Sequence, residues 1–161
     1  MAEPLACRRA QSDIVALGIA ASMLHHELPF SKLSADKFIG TLQGQIKRQH
    51  YVFTFQDQKI LGYAGWALCS EEVGRACSEG RPPPTHGESS DGDCVVVLTF
   101  HDDTPEVAHY QVRYCRNLKP YSPFFGRREY ADGRAKPFIL PGRPRSMGPM
   151  NLDAAAKKKD G

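Results

Sequence analysis

The chain has 161 residues, enough for one domain with a sizeable core. Hydrophobic residues make up 41% and charged residues 24%, which excludes a fibrous, low-complexity or wholly disordered protein. No apolar run reaches the ~18 residues that a membrane-spanning helix needs, and Met1–Arg9 lacks the pattern of a secretory signal, so a cytoplasmic protein is expected.

Five cysteines (Cys7, Cys69, Cys77, Cys94, Cys115) stand far apart, and no two form a C-x-x-C pair. Neither a zinc site nor a redox motif is indicated, and reduced thiols are expected. The net charge of +3 is unevenly spread. Residues 51–104 hold nine acidic and three basic side chains, a balance of −6; residues 105–145 hold three acidic and nine basic, a balance of +6. Either the basic third meets an acidic partner, or the two segments neutralise each other.

Taken in chain order, Ser12 is a helix N-cap and Asp13 suits the positive end of the helix dipole. Ile14, Val15, Leu17, Ala21, Met23 and Leu24 make that helix apolar, and its many small residues imply close approach to a neighbour. His25 and His26 fall at its end, and Pro29 stops it. Ser34 caps a second, amphipathic helix through Phe38, Ile39, Leu42 and Ile46. Tyr51–Phe55 and Ile60–Leu68 read as a hairpin across the short polar Gln56–Lys59. Gly62 and Gly65 inside the second strand suggest a bulge or a close approach, and Trp66 reads as a core residue. A short helix, Glu71–Ser78, precedes a mobile loop over Gly80–Gly92. Cys94–Phe100, apolar on both faces, is the central strand. Thr104 and Pro105 open a helix over Glu106–Asn117. Pro120–Gly126 is an aromatic connection. Arg127–Ala131 and Arg134–Ile139 flank Asp132-Gly133 as a hairpin whose second strand lies at an edge, because Pro137 cannot donate to a ladder. Residues 1–141 form a single domain, and 142–161 form a flexible tail. The order α-α-β-β-α-β-α-β-β makes an α+β or mixed α/β protein, with a central, mostly antiparallel sheet flanked by helices.

Several pieces then match a known pattern in order and spacing. They are Leu24-His25-His26-Glu27-Leu28-Pro29 after a helix of small residues, Gln49-His50-Tyr51 before a strand, Gly62-Tyr63-Ala64-Gly65-Trp66-Ala67, and Gly92-Asp93 before an apolar strand. Over about residues 13–105 the chain resembles the toxin-activating lysine-acyltransferases of RTX haemolysins. That resemblance implies a fold related to the GNAT acyltransferases and a homodimer. It implies an acyl-carrier protein as the acyl donor, with no bound cofactor, and internal lysines of an RTX protoxin as acceptors. The family's essential histidine matches His25. The chemistry stands on its own grounds: a lysine amine, with a pKa of about 10.4, must lose a proton before it attacks a thioester, and an imidazole is the natural base. Backbone N–H groups near a bulge at Gly62–Trp66 would receive the oxyanion. Tyr63, Gly65 and Trp66 are thus expected to line the substrate, with Arg127 and Arg128 docking the acidic carrier.

The chain also departs from the family. The carboxylate of its third strand falls on Thr99 here. Asp102, Asp103 and His101, just beyond, are the alternatives, and Asp102 is the expected partner of His25. The Gly-rich loop with which ordinary GNAT enzymes grip coenzyme A is approximated only by Gly133-Arg134-Ala135, where Tyr130 takes the Arg/Gln position. Read without the resemblance, the His25-His26 pair is a polar helix cap and the Arg127, Arg128, Arg134, Lys136 cluster is a solvated face. Two rival classes follow: a binding module of this fold without catalysis, and a nucleic-acid binder stacking bases on Tyr121, Phe124, Phe125 and Tyr130.

Overall fold

The structure, a computed structural model, describes residues 1–147. Six strands lie side by side in chain order: β1 (Ala6–Arg8), β2 (Tyr51–Gln56), β3 (Lys59–Cys69), β4 (Cys94–Asp102), β5 (Phe124–Glu129) and β6 (Ala135–Leu140). Every neighbouring pair is antiparallel except β4 and β5, which are parallel. A parallel pair needs a crossover, and helix α4 (Pro105–Leu118) supplies it. Helices α1 (Asp13–Leu24) and α2 (Ala35–Lys47) precede β2, and α3 (Glu71–Ser78) joins β3 to β4.

The local chemistry follows the expectations closely. Ser12, Ser70 and Thr104 each accept a backbone N–H three residues on, from Val15, Val73 and Val107. Ser34 stands at the N-cap of α2 without such a bond. Asp57 and Gln58 close the β2–β3 hairpin, both with positive φ (49° and 63°), the backbone twist that suits a two-residue hairpin. The edge position expected for the Pro137 strand is where β6 lies.

Three elements differ from the sequence reading. β1 is an additional edge strand, too short at three residues to show a pattern. β4 runs to Asp102 rather than ending at Phe100. β5 starts at Phe124, not Arg127, because Phe124 and Phe125 are core residues paired with Val95 and Val96.

The sheet has two covered faces. On one, Ala16, Ala20, Leu24, Leu42 and Ile46 of α1 and α2 pack on Tyr51, Phe53 and Tyr63. Further along the sheet, Cys77 of α3 packs with Cys69, Cys94, Val96 and Phe125. On the other face, Cys115 of α4 joins Val52, Ala64, Trp66, Val95 and Phe124. All five cysteines are free, and burial pushes the thiols of Cys7 and Cys69 up to about 11.

The loop over Gly80–Gly92, expected to be mobile, is tied down. Arg81 donates to both oxygens of Glu88 (2.8 and 2.9 Å). The Thr85 N–H donates to Glu88 at 2.9 Å, and the buried Ser89 hydroxyl to Thr85 O at 2.6 Å. The Leu68 N–H donates to Ser89 O at 3.1 Å, fastening the loop to β3. Gly92 has φ +153°, and a Cβ there would run into the backbone of Cys69; both facts require glycine. The first residues of the expected tail are also placed. The Arg143 N–H donates to Pro120 O at 2.9 Å, and the Arg145 guanidinium lies 4.8 Å from the Tyr121 ring centre. Residues 148–161 lie outside the described residues.

Candidate functional site

Strands β4 and β5 pair only at Val95–Phe124 and Val96–Phe125. Beyond these, β4 continues to Asp102 beside β3, and β5 continues to Glu129 beside β6. The two strands part, so among the described residues no strand pairs with that side of β4 above Val96. Open sheets bind ligands outside the carboxyl ends of their strands, where the winding changes direction. The carboxyl end of β4 is therefore the candidate site.

Its geometry begins with a bulge. Gly65 pairs with Thr99 but Trp66 pairs with Val97, so Leu98 is one residue too many on β4. The bulge predicted near Gly62 and Gly65 is there. The close approaches predicted at the same glycines are made by two buried glutamines, not by a ligand. A Cβ on Gly65 would overlap the Gln45 amide, and one on Gly62 would lie 2.7 Å from Gln111 Oε1. Gln45, on α2, donates to Thr99 Oγ1 and accepts from the Tyr63 hydroxyl, both at 2.8 Å. Gln111, on α4, donates to the carbonyls of Tyr63 and His101, both at 3.2 Å, and accepts from Thr54 at 2.6 Å. The carboxyl half of β4 is thus held from both faces of the sheet.

This network absorbs most of the residues expected to bind substrate. Tyr63 is fully buried, Gly65 is filled by Gln45, and Trp66 is 7% exposed. The Trp66 N–H already donates to His50 O at 3.0 Å. Among the described residues, the side of β4 that no strand pairs with is the one that leaves β5, not the one along β3. Thr99 is buried on Gln45. Asp102 lies opposite Gly62, and His25 is the exposed C-cap of α1, its ring 5.1 Å from that of His26. No contact joins His25 to Asp102 or Thr99 among the described residues.

A different cluster forms at the rim. The turn after α1 is anchored by Phe30, buried against Phe38. It carries Glu27 toward the end of β4. Glu27 Oε1 lies 3.8 Å from His101 Nδ1 and 3.4 Å from His26 Nε2. His101 Nε2 lies 3.2 Å from Asp103 Oδ1, and the His101 side chain is 16% exposed. The resemblance leads one to expect an imidazole from the turn and a carboxylate from the strand. The fold brings the carboxylate from the turn and the imidazole from the strand. Both were visible in the sequence, Glu27 within the matched turn and His101 at a strand end, but only the fold brings them together.

The start of α4 is where a pyrophosphate could meet a helix N-terminus. Such a site needs free N–H groups and no competing negative charge. Here Pro105 at the first position lacks an N–H, Glu106 sits in the first turn, and Asp102 and Asp103 precede them. Gly133-Arg134-Ala135 lies at the β5–β6 hairpin, where Arg134 donates to Asp132 at 2.6 Å. Both places thus carry features that disfavour a bound pyrophosphate.

On the hairpin, Arg127 donates to Ser78 O at 3.2 Å. Arg128 and Arg134 lie 5.3 and 5.8 Å from the Tyr130 ring centre. Arg128 and Lys136 face each other across the strands. Ion pairs elsewhere, Glu71–Arg75, Arg81–Glu88 and Asp132–Arg134, are local. Of the four aromatics proposed to stack on bases, Phe124 and Phe125 are buried in the core, which weakens the nucleic-acid reading.

A cavity of about 420 Å³ lies at the other end of β4, lined by Glu71, Asp91, Asp93, Cys94 and Tyr121. Burial raises the Cys94 thiol, which makes it a poor nucleophile. Among the described residues no cluster of His, Cys, Asp or Glu is arranged to hold a metal ion, and no helix is long and apolar enough to cross a membrane.

No known family matches the sequence, and no curated protein matches it. A solved structure from Corynebacterium glutamicum, described as histone acetyltransferase HPA2 and related acetyltransferase, is similar in shape, with a TM-score of 0.54 and 10% identity. The similarity covers 90% of this chain and 99% of that one. At that identity the likeness speaks of the fold alone, a mixed α/β, mostly antiparallel sheet with flanking helices, which that acetyltransferase shares.

Proposed function

We propose that this protein is an N-acyltransferase that moves an acyl chain from a carrier-protein thioester to the ε-amine of a protein lysine. The observation that carries the reading is the parting of β4 from β5, in a GNAT-type fold, with a histidine–carboxylate cluster at the same end of β4. A thioester lying in that gap meets the unpaired backbone edge of β4, whose N–H groups can receive the oxyanion. An imidazole at the rim takes the proton of the incoming amine. His25 is the base supplied by the resemblance, and His101 is the one enclosed by carboxylates.

The start of α4 supports a carrier-protein donor over coenzyme A in this reading. Without a pyrophosphate grip, coenzyme A gains little there, whereas the exposed Arg127, Arg128 and Lys136 suit the acidic surface of an acyl-carrier protein. An RTX protoxin as acceptor, a homodimer and a cytoplasmic setting rest on the sequence resemblance alone. The exposed apolar Ile14 and Val15 of α1 are compatible with a dimer.

Intact-mass spectrometry tests the reaction. A lysine-bearing protoxin is incubated with this protein and acyl-carrier protein charged with a long-chain acyl group, beside His25→Ala and His101→Gln. A gain of one acyl chain on the protoxin is expected. No gain across several protoxins and lysine peptides, with carrier-protein binding intact, favours the non-catalytic module instead.

A further inference from the structure

The acyltransferase reading leaves open which side chain receives the amine's proton and how a cationic amine is drawn to the rim. Two carboxylates enclose one imidazole there. Asp103 Oδ1, at 3.2 Å, is within reach of a hydrogen bond from His101 Nε2. Glu27 Oε1, at 3.8 Å from Nδ1, is too far for a direct hydrogen bond. With Nε2–H donating to Asp103, the lone pair would lie on Nδ1, facing Glu27. Two atoms 3.8 Å apart can both lie about 2.8 Å from a single nitrogen placed to one side of the line between them. That is the place for a primary ammonium.

We propose that His101 Nδ1 is the general base, that Asp103 is the positioning residue that sets its tautomer, and that Glu27 holds the acceptor ammonium. The proposal rests on the acyltransferase reading. In the reaction the ammonium gives one proton to Nδ1, and the neutral amine attacks the thioester carbonyl. The C–S bond breaks as the C–N bond forms. The departing thiolate takes the second proton from the amine nitrogen, and the imidazolium later releases the first to solvent. Products are the amide, the carrier thiol and one proton.

The site is built to be stiff. His101 is 16% exposed, and its carbonyl accepts from the buried Gln111. His25 is exposed on a helix end, and no carboxylate contacts it among the described residues. The titratable groups facing His101 are Glu27 from the turn after α1, Asp103 beyond β4, and Tyr63 opposite it on β3, whose hydroxyl donates to Gln45. His26 reaches Glu27 from the same turn, and Asp102 is next in the chain.

The test uses the full chain with acyl-charged carrier protein and a lysine peptide, comparing His101→Gln, Asp103→Asn, Glu27→Gln and His25→Gln. His101→Gln is expected to lower kcat/KM about 100-fold or more near neutral pH. The loss should shrink about tenfold per pH unit as the acceptor deprotonates without help, a recovery that a merely structural defect does not give. Glu27→Gln should raise the peptide KM about three- to fivefold with kcat little changed, as fits a half-exposed charge contact. Asp103→Asn should lower kcat and redistribute the His101 ring tautomers in imidazole 15N spectra. A pH-rescued loss in His25→Gln, with full activity in His101→Gln, overturns the assignment. If the wild type acylates no amine, the function reading fails. The 15N spectra then decide the geometry alone, and an Nε2–H tautomer that survives Asp103→Asn overturns the role of Asp103.

Discussion

Gly65→Ala puts the packing between α2 and the bulge to a direct test. The methyl would occupy the volume of the Gln45 amide, which is fully buried and bonded to the hydroxyls of Thr99 and Tyr63. Overpacking of a tight core costs about 1–3 kcal/mol. Displacing Gln45 also strands at least one buried hydroxyl, at a further ~1–3 kcal/mol. The total, about 2–6 kcal/mol, is a large part of the ~5–15 kcal/mol available to a domain. With a urea m-value of about 1–3 kcal/mol/M, the unfolding midpoint should fall by ~1 M or more at unchanged m. In a Gln45→Ala background the same methyl has room, so Gly65→Ala should cost less there by about 1–3 kcal/mol. A loss below ~0.5 kcal/mol in the wild-type background, or an equal loss in both, refutes the reasoning and reopens Gly65 as a site of ligand approach.

Three other expectations follow from named contacts. His50, stacked on Trp66 with its Nδ1 buried and unpartnered, is lowered from 6.5 to about 4 by burial first and then by Arg48, Arg9 and Lys119. The unfolded chain binds that proton before the folded one does, so its share of stability is whole above pH 6.5 and is lost as pH falls to about 4. With half of the shift discounted for solvent, thermal or urea unfolding should lose about 1–2 kcal/mol over that window, and His50→Phe should flatten the fall. Glu88→Gln should speed hydrogen exchange of the Leu68 amide about tenfold, because Arg81 and Thr85 lose the anchor that holds Ser89 against β3; an unchanged rate means that the prolines alone fix the loop. Coenzyme A at about 1 mM should shift the melting temperature by less than ~1 °C, since even a ligand at its own Kd adds only ~0.4 kcal/mol; a shift of several degrees would mean that Pro105 and Glu106 do not block the helix start.

What was legible in the sequence was whatever has a local cause. Ser12, Ser70 and Thr104 announce helices because a cap is a bond across three residues, and Pro137 announces an edge because it lacks an N–H. The apolar run from Cys94 announces a central strand because both its faces are covered. β1 escaped because an edge strand of three residues has no period to read. Phe124 and Phe125 read as a connection because the aromatics that start β5 follow a proline-rich stretch. The site was half legible for the same reason. Gly62 and Gly65 did mark close approaches, but glycine says only that space is needed, not whether Gln45, Gln111 or a ligand fills it. Glu27 and His101 meet through the fold alone, so no spacing rule pairs them.

The two glutamines bear on the proposed base on β4. A base on a turn depends on that turn for its position, and His25 is exposed at a helix end. A base on β4 inherits the rigidity of the sheet, provided that the strand end is fixed where it leaves the ladder. Gln45 fixes it from α2 through Thr99 Oγ1, and Gln111 fixes it from α4 through the His101 carbonyl. Each amide is fully buried, and each is bonded at both its oxygen and its nitrogen. A buried network with every member satisfied holds geometry without the desolvation cost of an orphaned group. Thr99 thus has a positional part in the site although it cannot act as a carboxylate. In the proposed arrangement the charge expected from an aspartate at its place is supplied by Glu27 and Asp103, on the two loops that frame His101. Those carboxylates stay partly wet, so they can attract an ammonium without the penalty of a buried anion.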